Sequence, residues 1–128
     1  MNFSIILPIK GFSINAAYYA TRKSKTAECR AWEKQVYNYI ADNIYLKQMA
    51  GFKQFHVTME FEYPEALYYN AKGDISSKTY DLSNVEKLLL DCLFTVIGAN
   101  DKYVTELISR KRPGKAYAIF INILAIQS

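Results

Sequence analysis

The sequence predicts an α+β fold in which two helices pack on a four-stranded mixed or antiparallel sheet, in the order β-α-β-α-β-β. Residues 55–63 alternate strictly between apolar and polar side chains, which is typical of a strand with one buried face. Residues 26–48 and 82–93 repeat apolar side chains at helical spacing. Residues 116–125 are apolar at both alternating sets of positions, as in a strand covered on both faces.

Length and composition indicate one globular domain over residues 1–128, with 51% hydrophobic residues and a net charge of +4. A basic chain suits a polyanionic partner if its cations are clustered. Cys29 and Cys92 have no close Cys or His neighbour, which argues against a zinc site or a disulfide framework. No secretory or membrane-spanning segment is recognisable, so a cytoplasmic location is expected.

A first strand is predicted at residues 3–7, ended by Pro8. The connector after it contains Arg22, Lys23 and Lys25 close in sequence to Tyr18 and Tyr19. Aromatic rings interleaved with cations can contact nucleic-acid bases and phosphates together. A solvated loop with packed tyrosines explains the same residues equally well.

One long amphipathic helix is predicted from residue 26 to about residue 48, with Ser24 or Thr26 as N-cap. Trp32 lies on its apolar stripe and is therefore expected in the core. The predicted strand that follows puts the single histidine, His56, on its polar face with no second catalytic group beside it. Residues 64–79 lack periodicity, so a ligand-contacting loop or plain disorder is expected there. The predicted apolar stripe of the helix consists of Cys29, Trp32, Val36, Tyr39, Ile40 and Ile44.

The second helix combines an apolar stripe with a polar cluster. Asn84, Lys87 and Asp91 are spaced so that they project from one side of the helix. Ser83 and Glu86 have the spacing of a capping box, which would give both a structural role. The predicted stripe consists of Val85, Leu88, Leu89, Cys92 and Leu93, and Asp81 just before the helix would be favourable beside its dipole.

The end of the chain is predicted to form a turn at residues 98–101, a strand at 103–110, a hairpin tip at 111–115 and a last strand at 116–125. The last strand is expected in the centre of the sheet or in a subunit interface. Cations gather at residues 22–25 and 110–115, on either side of the acidic segment in sequence. This arrangement favours a nucleic-acid enzyme.

Three sequence motifs resemble the RusA family of Holliday-junction resolvases. Ser13, Asn15 and Tyr18 are similar to the family's Ser-x-Asn-x-x-Tyr signature after the first strand. The segment 81–87, followed by Asp91 and Leu93, resembles the family's Asp-x-Asp-Asn-x-x-Lys helix start. Residues 100–104 stand where the family has an acidic pair and a valine before a strand.

The resemblance implies a homodimeric endonuclease that cuts branched DNA such as four-way junctions with Mg²⁺, or with Mn²⁺ in its place, in the bacterial cytoplasm if a phage or prophage encodes it. It implies that Asp81 and Asp101 are metal ligands, with Ser83 and Asn100 as further candidate ligands. Lys87 matches the family's essential lysine and Asn84 the asparagine of the helix start, so the resemblance implies that both are catalytic together with Asp81 and Asp101. The candidate DNA contacts are Asn15, Tyr18, Arg22, Lys23, Lys25, Arg110, Lys111, Arg112 and Lys115.

Two departures from the family pattern keep the alternatives open. Ser83 replaces a second aspartate, and Asn100 replaces the first member of the acidic pair, which removes formal charge from a hard-cation site. An active nuclease, a branched-DNA binder with weakened catalysis, and an interaction domain unrelated to DNA all remain open at this point.

Overall fold

A computed structural model describes residues 1–18 and 24–127 and contains a four-stranded mixed sheet in the order β1-β4-β2-β3. Strand β4 pairs antiparallel with β1 and β2, and β3 pairs parallel with β2. The predicted α+β class is confirmed. The strands are β1 (Asn2–Leu7), β2 (Phe55–Pro64), β3 (Val104–Gly114) and β4 (Ala118–Ala125).

Both predicted long helices are present in the structure, and two single-turn helices accompany them. The long helices are α1 (Ala27–Ile40) and α4 (Leu82–Ile97), and the short ones are α2 (Ile44–Lys47) and α3 (Glu65–Tyr68). Two 3-10 helices, Ile14–Ala16 and Asp101–Tyr103, precede α1 and follow α4.

The sheet has one covered face and one open face. The predicted alternation of β2 is confirmed, because every second side chain from Phe55 to Tyr63 is buried and the intervening ones are partly exposed. Helix α4 packs on the covered face, where the rings of Phe94 and Phe55 meet edge to face at 5.0 Å. The opposite face, called the open face below, carries the exposed side chains of Ile6 and Leu124.

Strand β4 is central, as its two apolar faces predict, but it does not form a hairpin with β3. Strand β2 lies between the two and pairs with both. The Pro113–Gly114 pair is the last part of β3, in register with Tyr63 and Pro64 of β2, and the turn comes after it. The hairpin prediction is wrong because residues 111–114 continue a strand that pairs with β2.

The single long helix predicted for residues 26–48 is wrong after residue 40. Helix α1 ends at Ile40, and Asn43 starts α2 by accepting a hydrogen bond from the backbone N–H of Leu46 at 3.1 Å. Local capping by an asparagine competes with helix continuation. Because of this restart, Ile44 is exposed instead of lying on the buried stripe. Tyr39, which lies within α1, is exposed as well.

The beginning of α1 agrees with the sequence prediction. Thr26 is its N-cap, and its Oγ1 accepts a hydrogen bond from the N–H of Cys29 at 3.2 Å. The same hydroxyl donates to the carbonyl of Ala16 at 3.0 Å. Trp32 is buried as predicted. Helix α1 is therefore tied to the segment that carries the first motif.

Residues 64–79 are folded in the structure, contrary to the expectation of a long loop. They contain α3 and a β-bridge between Tyr69 and Ile75. Tyr68 is buried, and its hydroxyl donates to the carbonyl of Lys111 at 3.4 Å. Ligand contact by this segment stays a prediction.

Among the described residues, no helix is long and apolar enough to cross a membrane. Cys29 and Cys92 are both buried and free. Burial raises the pKa of the Cys92 thiol to about 11 and that of Cys29 above its ordinary value. Both thiols are therefore protonated at neutral pH.

Native protein treated with iodoacetamide at pH 8 is expected to keep both cysteines unmodified, because the thiolate is the reactive form and neither sulfur is accessible. Mass spectrometry after labelling in guanidinium chloride should show modification of Cys29 and Cys92. Rapid labelling of either residue without denaturant would contradict the described packing.

Candidate active site

The candidate site begins at the N-terminus of α4, where Asp81 is the N-cap. An N-cap aspartate usually accepts a backbone N–H from the first turn, but the Asp81 carboxylate makes no such bond. The predicted capping box is wrong because the helix starts at Leu82, which makes Ser83 its second residue. Glu86 instead accepts a hydrogen bond from Ser109 Oγ at 2.6 Å and ties α4 to β3.

Helix α4 is held in place by its buried side and carries the polar cluster on its other side. The predicted stripe is buried in full, and three further side chains extend it. Lys87 is half-exposed, and Asp91 and Asn84 are partly buried. The buried residues are Val85, Leu88, Leu89, Leu90, Cys92, Leu93, Phe94 and Ile97.

Asp101 reaches α4 through a tight connection. Gly98 ends the helix in the left-handed conformation, with φ of 79°, which favours glycine. Asn100 then caps the second 3-10 helix, since its Oδ1 accepts the N–H of Lys102 at 2.8 Å. This turn places Asp101 beside Lys87, within 3.4 Å of its ammonium group.

Lys87 lies between two carboxylates. Its Nζ donates to Asp91 Oδ1 at 2.9 Å and to Asp101 Oδ2 at 3.4 Å. The hydrogen bond to Asp91 is the main reason that the pKa of Lys87 is raised above its ordinary value, and Asp101 adds to it. Lys87 is therefore a fixed positive charge at neutral pH and cannot serve as a general base there.

A cleft of about 380 Å³ brings the first motif to the start of α4. Ser13 and Asn15 line it together with Asp81 and Asn84. Ser13 Oγ accepts the N–H of Asn15 at 3.2 Å and so caps the first 3-10 helix. Thr79 and Tyr80 also line the cleft, although they were not among the predicted site residues. The sequence feature that could have identified them is their position just before Asp81 in the chain.

The second predicted basic cluster, residues 110–115, is divided between the two faces of the sheet. Arg110 and Arg112 lie on the open face, and Arg112 pairs there with Glu60 at 2.6 Å and Glu62 at 3.2 Å. Lys111 points to the covered face, where its Nζ donates to Thr79 Oγ1 at 3.1 Å and to the carbonyl of Tyr80 at 3.3 Å.

The other predicted DNA contacts differ in whether they are ion-paired or exposed to solvent. Lys25 is engaged by Glu33 at 2.6 Å, whereas Lys115, Asn15 and Tyr18 are exposed. Arg22 and Lys23 lie outside the described residues. Lys111 is thus the predicted contact of the second cluster that approaches the segment before Asp81.

The side chains available for a metal are few. Among residues 1–18 and 24–127, no group of three or more His, Cys, Asp or Glu side chains could hold a metal ion. Mg²⁺ is often held by one or two carboxylates and completed by substrate phosphates and water. Asp81, free of a capping bond, and Asp101 have the donor chemistry for that mode of binding, but they line separate clefts, and Asp101 contacts Lys87.

Asn100 gives a stability test of the turn that presents Asp101. Asn100→Ala is expected to lower the free energy of unfolding by about 1 kcal/mol, because it removes the cap on the Lys102 N–H. Asn100→Asp keeps an oxygen acceptor and is expected to stay close to the parent. Urea denaturation of the three proteins measures the difference; equal losses in both variants would contradict the capping role.

A comparison with protein families identifies the family of this chain. A family model described as endodeoxyribonuclease RusA matches residues 12–124, which include both 3-10 helices, α4 and Lys87. A comparison with curated proteins found no match. Because the family model spans well over half of the chain, the protein belongs to the RusA endodeoxyribonuclease family.

Proposed function

We propose that the protein is a metal-dependent, structure-selective endonuclease that cuts four-way junctions and related branched DNA. The observation that carries the proposal is the cleft in which the uncapped Asp81 carboxylate lies with Asn84, Ser13 and Asn15. Family membership supports an endodeoxyribonuclease acting on Holliday junctions. It also disfavours an interaction domain unrelated to DNA.

Each side chain of the site has a proposed task. Lys87 supplies a positive charge that the substrate phosphate can approach, and Asp91 and Asp101 hold its ammonium group in place. Asn84 and Asn15 offer amide groups that can hydrogen-bond to the DNA backbone. Lys111 is anchored on Thr79 and the Tyr80 carbonyl, which directs its charge to the segment leading into Asp81.

Asp81 and Asp101 are the proposed Mg²⁺ ligands, with Mn²⁺ as a substitute. When bound, the cation would neutralise charge on the scissile phosphate and lower the pKa of a bound water. Ser83 is exposed in the first turn of α4 and can contribute a hydroxyl oxygen. The Asn100 amide oxygen already accepts the Lys102 N–H, so its proposed task is to fix Asp101.

The biological setting is part of the proposal. A homodimer with one site per subunit would match the two-fold symmetry of a four-way junction and permit paired incisions. Such cutting would serve recombination and repair, in the cytoplasm of a bacterial host if a phage or prophage encodes the protein.

The central test is cleavage of a labelled four-way junction. The parent protein is expected to cut with Mg²⁺ and not with EDTA. Asp101→Asn is expected to lose more than about 100-fold in cutting rate, since even groups one shell further from a metal cost roughly 10- to 100-fold. Binding measured in EDTA should persist.

Asp42→Asn is a matched control, because Asp42 is an exposed aspartate outside the site, between α1 and α2. It should cut as fast as the parent. Unchanged cutting by Asp101→Asn, or full activity of the parent in EDTA, would refute the assigned site.

The second candidate function is a branched-DNA binder with weakened catalysis. It is favoured by the small number of carboxylates, since no group of three or more candidate metal ligands exists among the described residues. A binder should show salt-sensitive affinity for the junction without metal-dependent cutting.

Ser83→Asp decides between the two functions. It adds a carboxylate at an exposed position of the first helical turn. Cutting by Ser83→Asp where the parent protein only binds would establish the binder. Cutting by the parent at comparable rate would establish the nuclease. Gln48→Glu, which adds a carboxylate at an exposed position outside the cleft, controls for a general effect of charge.

A further inference from the structure

A second cavity, of about 610 Å³, lies beside the cleft that contains Asp81. Tyr80 lines both spaces and directly precedes Asp81 in the chain. The cavity therefore adjoins the point where a scissile phosphate is proposed to bind. A nucleotide next to that phosphate would lie within reach of Tyr80.

Three of the ten residues that line this cavity are aromatic, and Lys10, Glu28 and Lys34 add charged side chains. The rings of Phe12 and Trp32 have centroids 5.9 Å apart and are inclined by 34°. Trp32 is almost fully buried, whereas Phe12 and Tyr80 keep part of their surface accessible. Gln35 and Asn38, exposed on α1, place side-chain amides along the same cavity. Apolar walls with a few polar groups are typical of small-molecule sites.

The cavity is preformed because its floor is fixed by the core. Trp32 Nε1 donates to the carbonyl of Lys10 at 2.7 Å, which holds the Lys10 backbone against α1. Gly11 packs so closely that a Cβ there would lie 3.1 Å from the ring of Phe61. Little ordering is therefore required when a ligand enters, which favours binding.

The positively charged side chain of Lys10 lines this cavity. Lys10 Nζ lies 5.3 Å from the ring centroid of Tyr80 and 5.5 Å from that of Tyr117. Both distances are in the range of cation–π attraction. Lys10 thus supports the Tyr80 ring and brings positive charge to a place where a DNA backbone would pass.

We propose that this cavity binds one unpaired nucleobase of the DNA substrate, stacked on Tyr80 and Phe12, with its edge facing Gln35 and Asn38. The inference rests on the proposed DNA-directed function. Bases at a branch point are less costly to unstack than bases inside a duplex. Stacking on aromatic rings accepts any base, so the cavity would select for branched structure.

Trp32 is the single tryptophan of the protein and can therefore serve as a fluorescence probe. The test substrate is a four-way junction with 2-aminopurine at the branch point, bound in EDTA. For the parent protein, Trp32 emission is expected to change on binding, and 2-aminopurine emission should rise as that base leaves the stack.

Ala31→Phe fills the cavity from an exposed position on α1. It is expected to abolish both signals and to weaken junction binding about 5- to 150-fold, the range for loss of one stacked base. Ala50→Phe, also at an exposed alanine but outside this cavity, should behave like the parent. Tyr80→Leu keeps apolar bulk without the ring and should repeat the loss, which covers the case that Ala31→Phe does not fold.

Parent-like affinity and emission in both Ala31→Phe and Tyr80→Leu would overturn the inference, as would equal losses in Ala50→Phe. Failure of the proposed function is scored separately, by junction cleavage in Mg²⁺. Cutting without any branch-point emission change rejects the cavity and leaves the nuclease. Emission changes that Ala31→Phe removes, in a protein that does not cut, support the cavity and reject the nuclease.

Discussion

Apolar packing of α4 against the sheet fixes the relative positions of the groups in the candidate site. Each fully buried leucine of the helix contributes about 1.5–3 kcal/mol, and Leu88, Leu89 and Leu93 are all fully buried. Asp81 stands at the start of this rigid element, Lys87 lies about 9 Å further along its axis, and Gly98 turns the chain back to Asp101. The site therefore spans about two helical turns, which suits contact with more than one phosphate of a strand.

The ion pairs of Lys87 contribute more to the position of its ammonium group than to the stability of the fold. Lys87, Asp91 and Asp101 have side chains exposed by 51%, 40% and 36%, and exposed ion pairs contribute only about 0–1 kcal/mol each. What the pairs provide is a raised pKa and a restrained ammonium group. Side chains on a helix tilt towards its N-terminus, so a Lys87 released from Asp91 extends towards Asp81. In the proposed function, a substrate phosphate would therefore compete with Asp91 and Asp101 for the Lys87 ammonium group.

Elements with a clear local pattern could be predicted from the sequence, and long-range pairings could not. The alternation of β2 and the stripe of α4 reflect burial alone, and both are present as expected. The Pro113–Gly114 pair suggested a hairpin tip, but β3 runs through it because it pairs in parallel with β2, a contact that no local signal encodes. Once residues 110–112 belong to a strand, their period of two separates Lys111 from Arg110 and Arg112. The cleft that unites Asn15 with Asp81 likewise depends on how 3-10 helices pack on α4, which spacing does not reveal.

Ser83 has no evident structural reason to be a serine. Its side chain is exposed, it is not the N-cap, and the capping box that would have required it is absent. An aspartate at the same position would be favoured by the helix dipole by about 0.3–1 kcal/mol, so fold stability does not oppose a carboxylate there. At the proposed metal site, a serine in place of an aspartate would lower the negative charge available to a divalent cation. A site with less negative charge binds the bare cation more weakly and depends more on the substrate phosphate to complete the coordination. We therefore expect metal and branched DNA to bind the proposed site cooperatively, which would couple structure selectivity to catalysis.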